Sequence, residues 1–271
     1  MAPKKDAIPG TAIATNPTNT ALAERPAWLG DAGAEGTEHI GKDDVQLPRL
    51  IVAQALSPQL DPDHASYIEG LKLGDLFNDL TGMIYGRGPL EFAIVRSDPP
   101  RYVEFNPREE GGGVKDFNVP ANDPRTEFSK DPETGESHKP VATKFYDFVV
   151  VLLPSREVIA LSFKSTGLKV ARQLNSMIKL RNAPLWAARY IIASMMTQNA
   201  LGKFAIYQVK SAPASSSTPA GWVDEATATF TKQLFAGLQG KTLVIEREPG
   251  EDDVVADDMP ANDPVGAISE M

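Results

Sequence analysis

The sequence contains no cysteine, which excludes disulfide bonds, thiolate metal ligands and cysteine nucleophiles. Its three histidines, His39, His64 and His138, lie far apart, and no pair has the spacing of metal ligands. No apolar run approaches the roughly 18 residues of a membrane-spanning helix. Since 42% of the residues are hydrophobic and 23% are charged, the chain is predicted to be globular. We expect a cytoplasmic protein that binds no membrane, no metal ion and no cofactor.

Acidic residues are missing from one long segment, although the net charge of the chain is −9. Residues 158–223 contain eight lysines and arginines and no aspartate or glutamate. Residues 246–271 have the opposite composition, with nine acidic residues and one arginine. A local basic surface binds polyanions even when the whole protein is acidic. The sequence therefore predicts a polyanion-binding surface and a separate acidic segment that competes for it.

Composition divides the chain into three parts. Residues 1–46 are rich in Pro, Gly, Ala, Thr and Asn and have little periodicity, which predicts a flexible N-terminal arm. Residues 47–245 are predicted to form the folded domain, and 246–271 a disordered acidic tail. Within the domain, the Ser/Pro/Ala-rich residues 211–220 are predicted to be a flexible linker.

The fold class follows from the order of the predicted elements. Between about residues 88 and 210 this order is strand, strand, strand, helix, strand and strand. The corresponding segments are 90–105, 145–153, 158–164, 168–181, 186–197 and 203–210. A helix between the third and fourth of five strands is typical of an OB-fold, a Greek-key barrel. We therefore predict a mainly β, α+β domain with an OB-like barrel, a long 106–143 insertion between strands one and two, and a helix at about 224–238 packed on the barrel.

The predicted helix 168–181 is basic on its polar side. Lys169, Arg172, Ser176 and Lys179 fall within an arc of about 80° at 100° per residue, and the opposite side is apolar. Exposed helix faces usually mix both signs of charge, whereas this one has no acid. This face is predicted to follow a phosphate backbone, with a solvated helix face as the alternative.

Aromatic residues lie on the predicted strands beside these cations. Bases of a single strand stack on such rings, although core packing is the commoner role of any one of them. Tyr146 and Tyr207 are predicted to be the more exposed, because their neighbours Phe145 and Ile206 have the parity of buried residues. The predicted stacking residues are Tyr102, Tyr146 and Tyr207, and the predicted backbone contacts are Lys144, Lys164, Lys169, Arg172, Lys179, Arg189 and Lys203.

Enzyme signatures are weak. A nuclease needs a carboxylate cluster for Mg²⁺ beside Lys164, and only Asp147 and Glu157 are candidates, with Ser162 where an acid would be required. Ser176 and Lys179 match a Ser-x-x-Lys motif, but they lie on the polar stripe of a helix and the rest of that signature is missing. We predict that the chain is not an enzyme and has no catalytic residues.

Two stretches resemble the single-stranded DNA-binding proteins of tailed bacteriophages. One includes Leu47-Pro48-Arg49-Leu50, Gln54, Gly74-Asp75-Leu76-Phe77-Asn78 and Thr81-Gly82, and the other runs from Leu161 to Lys169 and through the helix. The resemblance covers about residues 48–210. It implies sequence-independent binding of single-stranded DNA in replication and recombination, with the acidic tail recruiting replication or recombination proteins in the host cytoplasm. Tails of this class often end in an aromatic residue, whereas this chain ends at Met271.

The predicted function is therefore single-stranded DNA binding and protection, with the tail modulating it. Two alternatives stay open. In one, the chain is a phage virion or assembly protein whose basic segment is a subunit interface. In the other, it is a metal-dependent nuclease. A homo-oligomer is compatible with the sequence.

Overall fold

The described residues have a mixed α and β architecture with mostly antiparallel sheets and two α-helices. The computed structural model describes residues 47–107, 112–131, 134–199, 202–216 and 218–239. The predicted N-terminal arm (1–46) and acidic tail (246–271) lie outside the described residues. The strands are β1 (Leu50–Val52), β2 (Leu76–Asn78), β3 (Ile84–Gly86), β4 (Leu90–Ser97), β5 (Arg101–Phe105), β6 (Val114–Asp116), β7 (Ser129–Lys130), β8 (Ser137–His138), β9 (Ala142–Leu153), β10 (Glu157–Lys164), β11 (Arg189–Asn199) and β12 (Gly202–Ser211), and the helices are α1 (Leu168–Arg181) and α2 (Glu225–Leu238).

The long elements occur in the predicted order. Strand one is divided into β4 and β5, and β9, β10, α1, β11 and β12 follow it. Helix α1 has the predicted bounds because Ala171 and Leu174 bury its apolar side, and it ends where Asn182 adopts a left-handed conformation with φ 51°. Strand β11 begins later than predicted, because Leu185–Ala187 form a short 3-10 helix after Pro184.

The main sheet is open, whereas an OB-like barrel was predicted. Its strands follow the path β12-β11-β4-β9, and β10 pairs with the other edge of β9. Strands β4 and β5 pair with successive parts of β9, at Phe148–Leu153 and Ala142–Phe145. Closure requires pairing between β10 and β12, and no such pairing occurs among the described residues.

The segment around β1 lies between the two unpaired strands. Ala160 of β10 donates its N–H to the Pro48 carbonyl at 2.7 Å, and Arg49 forms a parallel bridge to Ala160. On the other side, the Gln54 amide donates to the Ala205 carbonyl of β12 at 2.8 Å and accepts from the Ala205 N–H at 3.1 Å. We call these contacts of residues 48–54 with β10 and β12 the seam. At the seam, side-chain hydrogen bonds and single main-chain hydrogen bonds replace the regular hydrogen-bond ladder of two paired strands.

Both faces of the main sheet are covered over much of their area. The inner face forms the largest core, which includes Phe92, Phe148, Leu161, Phe163 and Leu174. On the outer face, Val95, Val149 and Val151 pack against Phe230, Leu234 and Leu238 of α2. Asp224 caps α2 by accepting from the Thr227 N–H at 2.8 Å. Among the described residues, neither helix combines the length and the apolar character that crossing a membrane requires.

The segment predicted to be a flexible linker is held by main-chain hydrogen bonds in its described part, so that prediction is wrong. The Ala212 N–H donates to the Arg189 carbonyl at 3.1 Å. The Gly221 N–H donates to the Ala212 carbonyl at 2.8 Å, and the Arg189 N–H donates to the Gly221 carbonyl at 2.9 Å. The segment thereby joins the start of β11, which composition could not reveal.

The insertion between β5 and β9 is organised around a buried carboxylate. Glu104 accepts from the Lys115 ammonium at 2.6 Å and from the Arg125 guanidinium at 2.5 Å. Arg125 also contacts Asp116 and Asp123. Hydrogen bonds from Lys115, and then from Arg125, lower the pKa of Glu104 below its ordinary value of 4.5. Hydrogen bonds from Arg125 likewise lower the pKa of Asp123 to about 2.

Replacing Glu104 with glutamine is expected to lower the melting temperature at neutral pH and to have less effect in acid. The pKa of Glu104 is lower in the folded state than in the unfolded chain. Its charge therefore stabilises the fold above the unfolded pKa, and this contribution is lost as the pH falls through the folded pKa. Thermal unfolding of both proteins at several pH values from 7 to 2 measures the difference in melting temperature. Glu127→Gln is the control, because Glu127 is exposed. A difference that is as large at pH 2 as at pH 7 would show that the charge is not the cause.

Candidate nucleic-acid interface

The first half of β9 and its neighbour β5 form a ribbon with two distinct faces. Tyr102 pairs with Lys144, and Arg101 pairs with Phe145. Because successive side chains of a strand point to opposite faces, Tyr102 and Lys144 lie on one face and Arg101 and Phe145 on the other. The first is the inner face of the sheet, which also carries core residue Phe148.

Three of the predicted site residues meet on the inner face. The Lys144 ammonium lies 5.5 Å from the ring centre of Tyr102 and 5.0 Å from that of Tyr146. All three side chains are half-buried. Burial alone lowers the pKa of Lys144, but hydrogen bonds with Tyr146 and Tyr102 outweigh it, so the pKa lies above its ordinary value. We call Tyr102, Lys144 and Tyr146 the inner cluster, and its cation stays protonated at neutral pH.

A second group of aromatic and cationic side chains lies on the outer face. The ring centres of Phe105 and Phe145 are 6.3 Å apart. The Lys164 ammonium is 5.2 Å from the Phe105 ring centre and 5.7 Å from that of Phe145, and the Arg101 guanidinium carbon is 4.4 Å from the Phe145 ring centre. We call Arg101, Phe105, Phe145 and Lys164 the outer cluster.

Of the outer cluster, only Lys164 is among the predicted contact residues. Phe145 is buried, but its predicted parity is wrong, because Tyr146 lies on the face of the main core and Phe145 lies on the opposite face, where two cations cover its ring. Strand alternation places Arg101 and Phe105 together on the face opposite Tyr102, and this signal could have grouped them.

The predicted cations of α1 are exposed and lie close in sequence to the outer cluster. Lys169, Arg172 and Lys179 point to solvent, and the helix contains no acidic residue. Only the turn Ser165–Gly167 separates Lys164 from the start of α1. The helix therefore adds exposed positive charge next to the end of β10.

Arg189 does not belong to this surface. It is buried, and its guanidinium donates to the Glu91 carboxylate at 2.9 Å and to the Pro213 carbonyl at 2.6 Å. Its Nε atom is buried without a hydrogen-bond partner. The head group therefore holds β11 to β4 and to the segment after β12, rather than facing a ligand.

Tyr207 has a packing role at the seam. Its ring lies edge-to-face on Phe163 with centres 5.4 Å apart, and its hydroxyl donates to the Leu50 carbonyl at 3.1 Å. Burial raises the pKa of Tyr207. Lys203 is exposed at the start of β12, opposite Gln198. The structure does not bring Tyr207 into either cluster.

The two carboxylates considered for a nuclease lie apart. Asp147 pairs with Ser162 in register and Glu157 with Leu152, a separation of five residues or about 17 Å along β9. Asp147 is bound by Arg101 and Ser162, and Glu157 accepts from Asn78 and from Tyr85. The described residues contain no group of three or more His, Cys, Asp or Glu that could hold a metal ion.

In a comparison with known protein families, one family matches most of the length of the chain. The family model described as "Pam3 phage gp34-like protein" matches residues 17–242. The chain belongs to the Pam3 phage gp34-like family. This confirms the phage character that the resemblance implied, whereas the single-stranded DNA-binding role stays a prediction. The chain matches no curated protein and no solved structure.

Proposed function

We propose that this member of the phage gp34-like family binds single-stranded DNA without sequence preference and protects it during phage DNA replication and recombination. The observation that carries the proposal is the inner cluster, where the Lys144 ammonium lies within 6 Å of the ring centres of both Tyr102 and Tyr146. Proteins that bind single strands combine cations for the backbone with aromatic rings on which bases stack. Stacking is tolerant of sequence because every base has a π-face.

The strand order supports the same proposal. With β4 and β5 as strand one, the path β10-β9-β4-β11-β12 runs three, two, one, four, five. This is the order of an OB-fold opened between strands three and five, and the seam occupies the position of the missing pair. OB-folds bind oligonucleotides on the face of strands two and three and on the loop between strands one and two. The inner cluster lies at the start of strand two, where that loop ends.

A titration of the protein with labelled oligo-dT at several salt concentrations tests the proposal. If Lys144, Lys169, Arg172 and Lys179 each neutralise a phosphate, the slope of log K against log salt is about −3, since each contact to a single strand contributes roughly 0.7. Binding should then weaken about 50-fold between 50 and 200 mM salt. Equal affinity for duplex DNA, or a flat response to salt, would contradict the proposal.

Reversing two charges on α1 is expected to weaken binding without unfolding the protein. Lys169 and Arg172 are exposed, so Lys169→Glu with Arg172→Glu leaves the buried side of the helix intact. The salt slope should fall in magnitude by about 1.4, because two phosphate contacts are lost. The matched control is Lys130→Glu, an exposed lysine on β7. An unchanged slope in the folded double variant would show that the DNA does not contact α1.

We further propose that the acidic tail modulates binding and recruits replication or recombination proteins. Its nine acidic residues oppose the eight cations of 158–223. A segment tethered to the same chain acts at an effective concentration of order millimolar. It can therefore compete with DNA even when its intrinsic affinity is weak.

Deleting residues 247–271 is expected to strengthen binding of oligo-dT, most clearly at low salt, where screening is weakest. The control is deletion of 264–271 alone, which removes a single acidic residue, Glu270. Titrations of the three chains at low salt measure the effect. A tail-deleted protein that binds no more tightly than the full chain would show that the tail does not cover the DNA site.

A further inference from the structure

We infer that the outer cluster is a second binding site for single-stranded DNA, so that one molecule holds two separate strand segments on opposite faces of the same ribbon. This inference rests on the proposed function and extends it to a surface that the proposal does not use. It is carried by four outer-face side chains, Arg101, Phe105, Phe145 and Lys164.

The outer cluster shares with the inner one the combination of aromatic rings and a lysine. Each combines two aromatic rings with a lysine ammonium that lies within 6 Å of both ring centres. Phe105 is half-buried, so part of its ring is accessible to a base, and Lys164 can reach a phosphate next to that base. An acidic peptide would use the charge of Lys164 but would leave the stacking surface of Phe105 unused, which favours a nucleic acid.

A buried carboxylate fixes the geometry of this cluster. The Asp147 side chain is 3% exposed and accepts from the Arg101 Nε at 2.5 Å, which holds the guanidinium over Phe145. The Ser162 hydroxyl donates to the other carboxylate oxygen. Because Asp147 offsets the charge of Arg101, Lys164 is the cation that contributes most to binding a phosphate.

The two clusters lie on opposite faces of the ribbon, which favours two separate strand segments over one. Lys144 and Phe145 are adjacent residues that point to opposite faces of the sheet. β10 pairs with β9 only from Phe145 to Leu152, and β6 pairs with β5 only at Glu104 and Phe105, so a single strand that reached both clusters would have to turn around the edge of the ribbon. Farther along the outer face, α2 covers Val95, Val149 and Val151, so this part of the face is closed to a ligand.

Native mass spectrometry with oligo-dT of about eight nucleotides tests the inference, because this length suits a single OB-type site. The full-length chain should bind two oligonucleotides per chain. The double variant Phe105→Ala with Lys164→Gln should bind one oligonucleotide, because the dissociation constant for the second one should rise at least tenfold. The single variant Lys164→Gln should raise that second dissociation constant by a smaller factor. The matched control is Tyr67→Ala with Lys72→Gln, an exposed tyrosine and lysine away from the ribbon, which should still bind two.

The outcomes separate this inference from the proposed function. A full-length chain that binds one oligonucleotide, or a folded Phe105/Lys164 double variant that still binds two, would overturn the inference and leave the proposed function intact. A chain that binds none would overturn the proposed function. Circular dichroism and the melting temperature establish that the variants are folded, and the single Lys164→Gln variant keeps the test valid if Phe105→Ala does not fold.

Discussion

Replacing Asn78 with alanine is expected to lower the free energy of unfolding by about 3 kcal/mol. Asn78 is fully buried, and its amide donates to the Glu157 carboxylate of β10 at 2.6 Å. Its side-chain oxygen accepts from the N–H groups of Leu80 and Thr81 at 2.9 and 3.0 Å. Each buried polar group left without a partner costs about 1–3 kcal/mol, and Glu157 is a buried carboxylate that would lose a donor.

Urea denaturation followed by circular dichroism measures this change. Asn118→Ala is the matched control, because Asn118 is exposed and surface substitutions shift stability by only about 0.5 kcal/mol. Asn78→Asp should destabilise more than Asn78→Ala, since it places a second carboxylate beside Glu157. If Asn78→Ala leaves the urea midpoint unchanged, the hydrogen bond between Asn78 and Glu157 does not stabilise the contact of β2 with β10.

The location of Asn78 explains part of the sequence resemblance. Pro48, Arg49 and Gln54 occupy the seam, and Asn78 joins β2 to β10. The first of the two stretches that resemble phage DNA-binding proteins thus supplies residues that hold the β1–β3 sheet between the unpaired edges of β10 and β12. Its residues serve the fold, and the proposed DNA-binding residues lie in other segments.

Local patterns allowed the sequence to predict the order of the elements and helix α1. The apolar side of α1 repeats within one or two turns, so its buried Ala171 and Leu174 could be identified without tertiary information. The open sheet could not be predicted in this way. Its closure depends on the pairing of distant edges, and the seam contact of Gln54 with Ala205 spans 151 residues.

Distance along the chain also separates the predicted site residues that the structure brings together from those that it does not. Lys144 and Tyr146 are neighbours on one strand face, so alternation alone brings them together. Arg189 is hydrogen-bonded to Glu91, which is 98 residues away in the sequence, and Tyr207 is hydrogen-bonded to Leu50, which is 157 residues away. Neither partner is visible in a local pattern, and an isolated arginine or tyrosine in a basic segment looks available for a ligand.

Removing both rings of the inner cluster, by Tyr102→Ala with Tyr146→Ala, is expected to weaken binding of oligo-dT at least about 30-fold. Each stacked base contributes about 1–3 kcal/mol, so two lost stacks remove at least about 2 kcal/mol. The salt slope should change little, because the substitutions remove stacking and leave the cations in place. Titrations at fixed and at varied salt separate these two effects.

The matched control for this prediction keeps the rings and removes only the hydroxyls, as Tyr102→Phe with Tyr146→Phe. These hydroxyls hydrogen-bond Lys144 and raise its pKa, but the ammonium stays charged at neutral pH without them. The phenylalanine variant should therefore bind within a few-fold of the unaltered protein, whereas the alanine variant should not. If both variants lose binding equally, the hydroxyl contacts to Lys144 matter more than stacking. If neither loses binding while both remain folded, single-stranded DNA does not contact the inner cluster, and the outer face or α1 must provide the site.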